Sequence, residues 1–177
     1  MQNAVEEMKR LIATRLQRAG GSARRSLAEP VTVAPQLQRI VDSLDKVHSQ
    51  RMIRTEVKLE DGLKFYGEQR DLLELMGNLL DNAYKYGGGL VRVRGGAVDP
   101  ARPRPGLWLS VEDDGPGIEE GQWARLLQRG TRGDERVEGH GLGLAIVTEL
   151  VAAYGGSIDI GDSDLGGARI DVRLPAL

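Results

Sequence analysis

Glu74, Asn78 and Asn82 fall four residues apart in ELMGNLLDNAYKYG, residues 74–87. On a helix, positions i, i+4 and i+8 lie nearly above one another. That row presents one carboxylate and two carboxamides in line. Oxygens of this kind suit a hard cation such as Mg²⁺, above all one shared with phosphates. Asparagine is a mediocre helix former because its side chain competes for the backbone. Two of them inside a strong helix therefore need a reason. A solvated face would also carry such residues, and this segment alone leaves both readings open.

Three other segments have the residue types for a ligand site. Val111–Ile118 reads VEDDGPGI: a strand delivers Asp113 and breaks at Gly115-Pro116-Gly117. A carboxylate at a strand end, beside glycines, suits a ligand amine that comes close to the backbone. A tight acidic turn is the plainer alternative. Gly139–Leu144, GHGLGL, leads into a helical stretch. Glycines there let backbone N–H groups approach a phosphate, assisted by the helix dipole. Leu165–Ala168, LGGA, taken alone, is a hairpin turn. Familiar nucleotide sites of other kinds are excluded. The chain has no Gly-Lys dipeptide for a P-loop, and no His-Arg-Asp or Asp-Phe-Gly of a eukaryotic-type kinase. GHGLGL has the wrong spacing for a dinucleotide fingerprint.

Composition narrows the classes further. The 177 residues are 40% hydrophobic, enough for one sizeable core. A net charge of -2 argues against a nucleic-acid binder that relies on bulk positive charge. Without cysteine there are no disulfides or thiolate metal sites, and His48 and His140 are too far apart in sequence to promise a histidine-rich one. No apolar run reaches the roughly 20 residues of a membrane span, and the amphipathic, charged N-terminus does not resemble a signal peptide. A soluble, cytoplasmic chain is expected.

The elements that must position these residues follow from periodicity. Residues 1–19 give a helix with Val5, Met8, Leu11, Ile12 and Leu16 on one stripe, and residues 22–30 a polar linker. Val31–Val33 is a short strand, and Pro35 sits in the first turn of a helix carrying Leu37, Ile40, Val41, Leu44 and Val47. Ile53, Thr55, Val57 and Leu59 alternate with charges, as a half-buried strand does, and Leu63–Tyr66 is another strand. The Glu74–Tyr86 helix ends at Gly87-Gly88-Gly89. Strands are expected at Leu90–Arg94 and Leu107–Asp113, a helical turn at Trp123–Leu127, and a Gly-rich, charged loop over 128–141. A helix over Leu142–Tyr154 and strands at Ser157–Ile160 and Ala168–Leu174 complete the chain. This mixture predicts an α+β two-layer sandwich.

The order of the motifs resembles a known family. ELMGNLLDNAYKYG is similar to the N box, VEDDGPGI to the G1 box and GHGLGLAIV to the G2 box of the sensor histidine kinase ATP-binding domain. That domain belongs to the gyrase, Hsp90, histidine kinase and MutL (GHKL) superfamily, with its Bergerat fold. GEQRDLLELMGNLLDNAYKYG, VEDDGPGI and LGGARIDV resemble PhoQ-type kinases in particular. The resemblance covers residues 31–177 and implies a catalytic ATP-binding domain there. Residues 1–30 would then be the end of a dimerisation helix plus a linker.

The resemblance also implies roles. Asn78 would coordinate Mg²⁺, with Asn82 near the metal shell or the phosphates. Glu74 occupies the position of a water-orienting or basic carboxylate. Lys85 would place an ammonium near a phosphate, and Tyr86 would pack on the adenine or ribose. Asp113 would accept from the adenine amine, with Gly115 and Gly117 letting the base approach the backbone. Arg129 and Arg132 would lie in an ATP lid and hold the β- and γ-phosphates. Gly139, Gly141, Leu142 and Gly143 would form its hinge and the phosphate-facing turn. The family's phenylalanine-bearing box is degenerate, with Trp123, Leu126 and Leu127 in that region.

Neither histidine has the surround of a phosphoacceptor; His48 reads as a surface residue at a helix end. The implied partners are a dimerisation domain carrying the acceptor histidine and a response regulator, with no nucleic acid. A monomeric fragment of a homodimeric, inner-membrane sensor kinase follows. The competing expectations are a standalone GHKL ATPase or anti-sigma-type serine kinase, and a nucleotide-binding module without activity.

Overall fold

The computed structural model describes residues 29–119 and 142–176. The expected helix over 1–19, the helical turn at Trp123–Leu127 and the loop over 128–141 fall wholly or almost wholly outside them, as do Arg129, Arg132, Gly139, His140 and Gly141.

Strand β1 (Val31–Thr32) leads into helix α1 (Val33–Val47) and a 3-10 turn (Ser49–Arg51). Strands β2 (Arg54–Leu59) and β3 (Lys64–Phe65) precede helix α2 (Gln69–Tyr86). Strands β4 (Leu90–Val98) and β5 (Gly106–Asp113) follow, then helix α3 (Leu142–Ala153) and strands β6 (Ser157–Asp162) and β7 (Ala168–Leu174). The main sheet has the order β2-β4-β5-β7-β6. Only β2 and β4 run parallel, and β1 and β3 form a separate two-residue ladder. The α+β two-layer expectation holds.

One core joins the layers. Leu72, Leu75, Met76, Leu79, Leu80, Ala83 and Tyr84 of α2 are buried at helical spacing, as are Val33, Leu37 and Val41 of α1. They meet Val91, Val93, Leu109, Val111, Ile170 and Val172, which alternate along β4, β5 and β7. Each such side chain contributes about 1.5–3 kcal/mol on burial. This fixes α2 against the sheet, and its polar row, at Glu74, Asn78 and Asn82, is left half-buried beside α3.

Four local expectations need correction. Val33 begins α1 rather than ending β1, because β1 pairs with β3 at only two positions and Pro35 favours helical φ. Strand β4 runs four residues past Arg94, to Val98, through Gly95 and Gly96. A Cβ on Gly95 would lie 2.7 Å from Leu109 Cδ2, and one on Gly96 2.6 Å from Trp108 Nε1. The glycines thus make room for cross-strand side chains. Val57 is 43% exposed, because β2 is an edge strand. His48 is covered, its side chain only 15% exposed, and its ring tilts against Tyr84 with centroids 5.7 Å apart.

Candidate functional site

Along α2, Asn78 spends its amide nitrogen locally: Nδ2 donates to the Glu74 carbonyl at 2.7 Å. Its Oδ1 turns instead toward the start of α3. A Cβ on Gly143 would stand 3.1 Å from Asn78 Oδ1 and 3.5 Å from both amide atoms of Asn82. Any side chain there would fill the space in front of these amides. The N-terminus of α3 thus faces the Asn78–Asn82 row, and a helix N-terminus favours anions. Among the described residues no cluster of three or more His, Cys, Asp or Glu could hold a metal by itself. A cation here would rest on amide oxygen and on phosphate, which suits Mg²⁺.

Lys85 is engaged elsewhere: its ammonium pairs with Asp81, one turn back. Asp81 also lies 3.5 Å from His48 Nε2. Tyr86 is 43% exposed at the helix end.

Asp113 ends β5, opposite Val91, and is 7% exposed. Its Oδ1 accepts from Gly115 N at 2.9 Å and Ala168 N at 3.2 Å, and its carbonyl accepts from Gly167 N at 3.1 Å. Burial pushes its carboxyl above the usual range; the two N–H groups counter this, and the neighbouring Asp114 charge adds to it. Gly117 takes φ +76°, which only glycine adopts readily. A Cβ on Gly115 would meet the Tyr86 carbonyl at 2.2 Å, so this turn lies directly on the end of α2. Glycine at 115 is required for that approach.

Asp114 has a different task. Its Oδ1 accepts from Gly88, Gly89 and Leu90 N–H at 2.7, 2.9 and 3.0 Å. Burial raises its pKa, but these bonds outweigh burial and hold it below the usual range. Asp114 clamps the turn between α2 and β4 and leaves Asp113 as the inward-facing carboxylate.

The sequence-predicted residues therefore gather at two places, Asn78, Asn82 and Gly143 at one and Asp113, Gly115 and Tyr86 at the other. LGGA is more than a hairpin turn: Gly167 and Ala168 bind Asp113. A Cβ on Gly167 would stand 2.2 Å from Asp113 Oδ1. A further contributor, Glu112, is fully buried on the opposite face of β5, where it binds Ser163 Oγ at 3.1 Å and lies 2.6 Å from Arg94 Nη2. Ser163 also receives Gly166 N–H on its carbonyl, so this network steadies the hairpin that holds Asp113. The glycine pair was the only sequence signal of this, because the contact spans residues 113 and 167.

Side-chain amides facing a helix N-terminus, with a buried aspartate beside glycines, are a donor and acceptor set suited to an anionic ligand that also carries an amine. The match to known proteins agrees: the model for "Histidine kinase-, DNA gyrase B-, and HSP90-like ATPase" fits residues 67–177, and the chain belongs to this family. It is 36% identical over 174 residues to the two-component sensor PhoQ of Pseudomonas aeruginosa, covering 98% of this chain and 38% of that one. It is 39% identical over 140 residues to the virulence sensor histidine kinase PhoQ of Salmonella typhimurium, covering 79% of this chain and 28% of that one. The chain thus spans less than two fifths of these relatives. Among solved structures, the mycobacterial sensor histidine kinase MprB superposes with a TM-score of 0.68 at 30% identity, over 84% of this chain and 97% of that one. Full-length ShkA in complex with AMPPNP shares the fold, with a TM-score of 0.67 at 24% identity, over 98% of this chain and 38% of that one.

Proposed function

We propose that the domain binds Mg-ATP between α2, the Asp113 turn and the start of α3, and presents the γ-phosphoryl to a histidine on a separate dimerisation domain. The observation that carries this is the convergence of the Asn78 and Asn82 amides on Gly143 at the N-terminus of α3. Family membership and the sensor-kinase relatives support it.

In this proposal Asp113 accepts from the adenine amine, and Tyr86 packs on the base or ribose. Asn78 Oδ1 would hold the Mg²⁺, and Asn82 would serve the metal shell or the phosphates. Bound Mg²⁺ would neutralise phosphate charge. The chain's own residues orient the nucleotide, which is the main protein contribution in phosphoryl transfer. Lys85 exchanges Asp81 for a phosphate, and Glu74 orients the incoming group. Arg129 and Arg132 fork onto the β- and γ-phosphates, while Gly139, Gly141, Leu142 and Gly143 give the covering segment its turn. The parent is a homodimeric inner-membrane sensor that passes the phosphoryl to a response regulator, and the isolated chain is a monomer.

Incubation with γ-labelled ATP, Mg²⁺ and a separately produced dimerisation domain tests this. Acid-labile label on histidine is expected. Label on serine, release of free phosphate alone, or binding without either would overturn it.

A further inference from the structure

Arg51 lies outside every motif, yet its guanidinium reaches the end of the nucleotide helix. Nη1 donates to the Tyr84 carbonyl at 2.8 Å and to the Lys85 carbonyl, and Nη2 donates to the Gly87 carbonyl at 2.8 Å. Carbonyls in the last turn of a helix lack intrahelical partners and carry the negative end of its dipole. A cation with forked donors satisfies both needs. The approach requires the chain to reverse sharply after the 3-10 turn, and Met52 does this at φ +49°, a region few non-glycine residues enter. Arg54 N then binds the Gly89 carbonyl at 2.8 Å, fixing the far end of the same turn.

The turn over residues 87–89 is thus gripped from two sides. Arg51 takes carbonyls, and Asp114 takes the N–H groups of Gly88, Gly89 and Leu90. Asp113 rests against this turn: a Cβ on Gly87 would be 3.4 Å from Asp113 Cβ, and the Tyr86 carbonyl abuts Gly115. We propose that Arg51 is a positioning residue that sets base selectivity, by holding the end of α2 against the turn that presents Asp113. This rests on the proposed adenine-binding site, and it assigns Arg51 no contact with the nucleotide.

The test uses the whole chain with Arg51→Ala and Arg51→Lys. Calorimetric affinities for ATP and GTP with Mg²⁺ are measured at a temperature where circular dichroism shows every variant folded. Arg51→Ala is expected to weaken ATP about tenfold and leave GTP unchanged, so that discrimination falls by the same factor. Arg51→Lys, which keeps the charge at the helix end but not the forked donors, should recover only part of it. Amide exchange at Gly88, Gly89 and Leu90 in the nucleotide-free protein should quicken in Arg51→Ala. Unchanged ATP/GTP discrimination, or an equal loss for both nucleotides, would overturn the inference even if exchange quickens. Failure of the wild-type chain to prefer ATP would instead sink the adenine site itself.

Discussion

The two ends of the candidate site are built in opposite ways. At the Asp113 end, almost every polar group is already engaged. Asp113 holds Gly115 and Ala168, Asp114 holds three successive amides, and Arg51 holds the carbonyls across the same turn. At the Asn78 end, one local bond orients an amide, and its oxygen is left facing Gly143 and the start of α3. The difference matches what each end is proposed to meet. A flat base is read by a carboxylate whose position must not vary, so the reader is preorganised. Metal and phosphate bring strong fields and their own coordination demands, so oxygens with spare lone pairs suffice there.

The largest effect is expected from Asn78→Ala. Loss of the proposed metal ligand should weaken Mg²⁺-dependent ATP binding by about 100-fold, with the melting temperature little changed because the residue is half-buried. Calorimetry with and without Mg²⁺ checks it; equal affinities in both conditions for the wild type would erase the contrast between the two ends. Asp113→Asn comes next. It weakens the proposed charge-assisted hydrogen bond to the base, of a kind worth about 1.5–3 kcal/mol, so ATP should lose roughly 10- to 100-fold relative to GTP, read by competition binding.

The paired aspartates give a pH signature. The folded pKa of Asp113 is raised, so its charging costs stability above that pKa and the cost vanishes below the ordinary value of 3.8. The folded pKa of Asp114 is depressed, so its contribution is full above 3.8 and is lost as the pH falls through the folded value. Urea titrations across this range should show Asp114→Asn losing stability mainly at neutral pH, by about 1 kcal/mol or less once solvent screening is allowed for. Asp113→Asn should gain stability there or stay level; parallel losses in both variants would refute the division of labour. On the proposed role of Asp113 as the base reader, ATP affinity should begin to fall at a pH above 3.8.

The smallest effect belongs to Tyr84→Phe. The buried Tyr84 hydroxyl bonds Thr55 at 2.6 Å and Asp45 at 2.7 Å, and burial, with Asp45 adding, pushes its pKa up to about 12. Removing the hydroxyl should cost about 1 kcal/mol in chemical denaturation and leave ATP/GTP discrimination intact, unlike Arg51→Ala.

Much of this was legible in the chain. The apolar stripe of α2 fixed which residues face the sheet, and the same periodicity put Glu74, Asn78 and Asn82 on one row. Alternation in VRV and LSVED placed β4 and β5, and the glycines after Asp113 marked its turn. The expected end of β4 at Arg94 shows the limit: the strand continues through Gly95 and Gly96, where Leu109 and Trp108 on the neighbouring strand fill the space. His48 looked like a surface residue until α2 packed over it. The resemblance preferred Asp113 to Asp114 as the base reader, and the tertiary structure supplies what the sequence did not, a separate task for Asp114 on the amides of Gly88, Gly89 and Leu90.

From the sequence by itself, local periodicity determined the α+β elements and put Glu74, Asn78 and Asn82 on one helix row and Asp113 at a strand end, and the order of the motifs pointed to the family. Such signals arise within a few residues of one another and survive in the linear chain. The tertiary structure alone decided that Gly167 and Ala168 hold Asp113, that Arg51 caps α2, and that Gly143 stands before Asn78. Each of these brings together groups more than thirty residues apart, and contacts over such separations leave no periodicity to read.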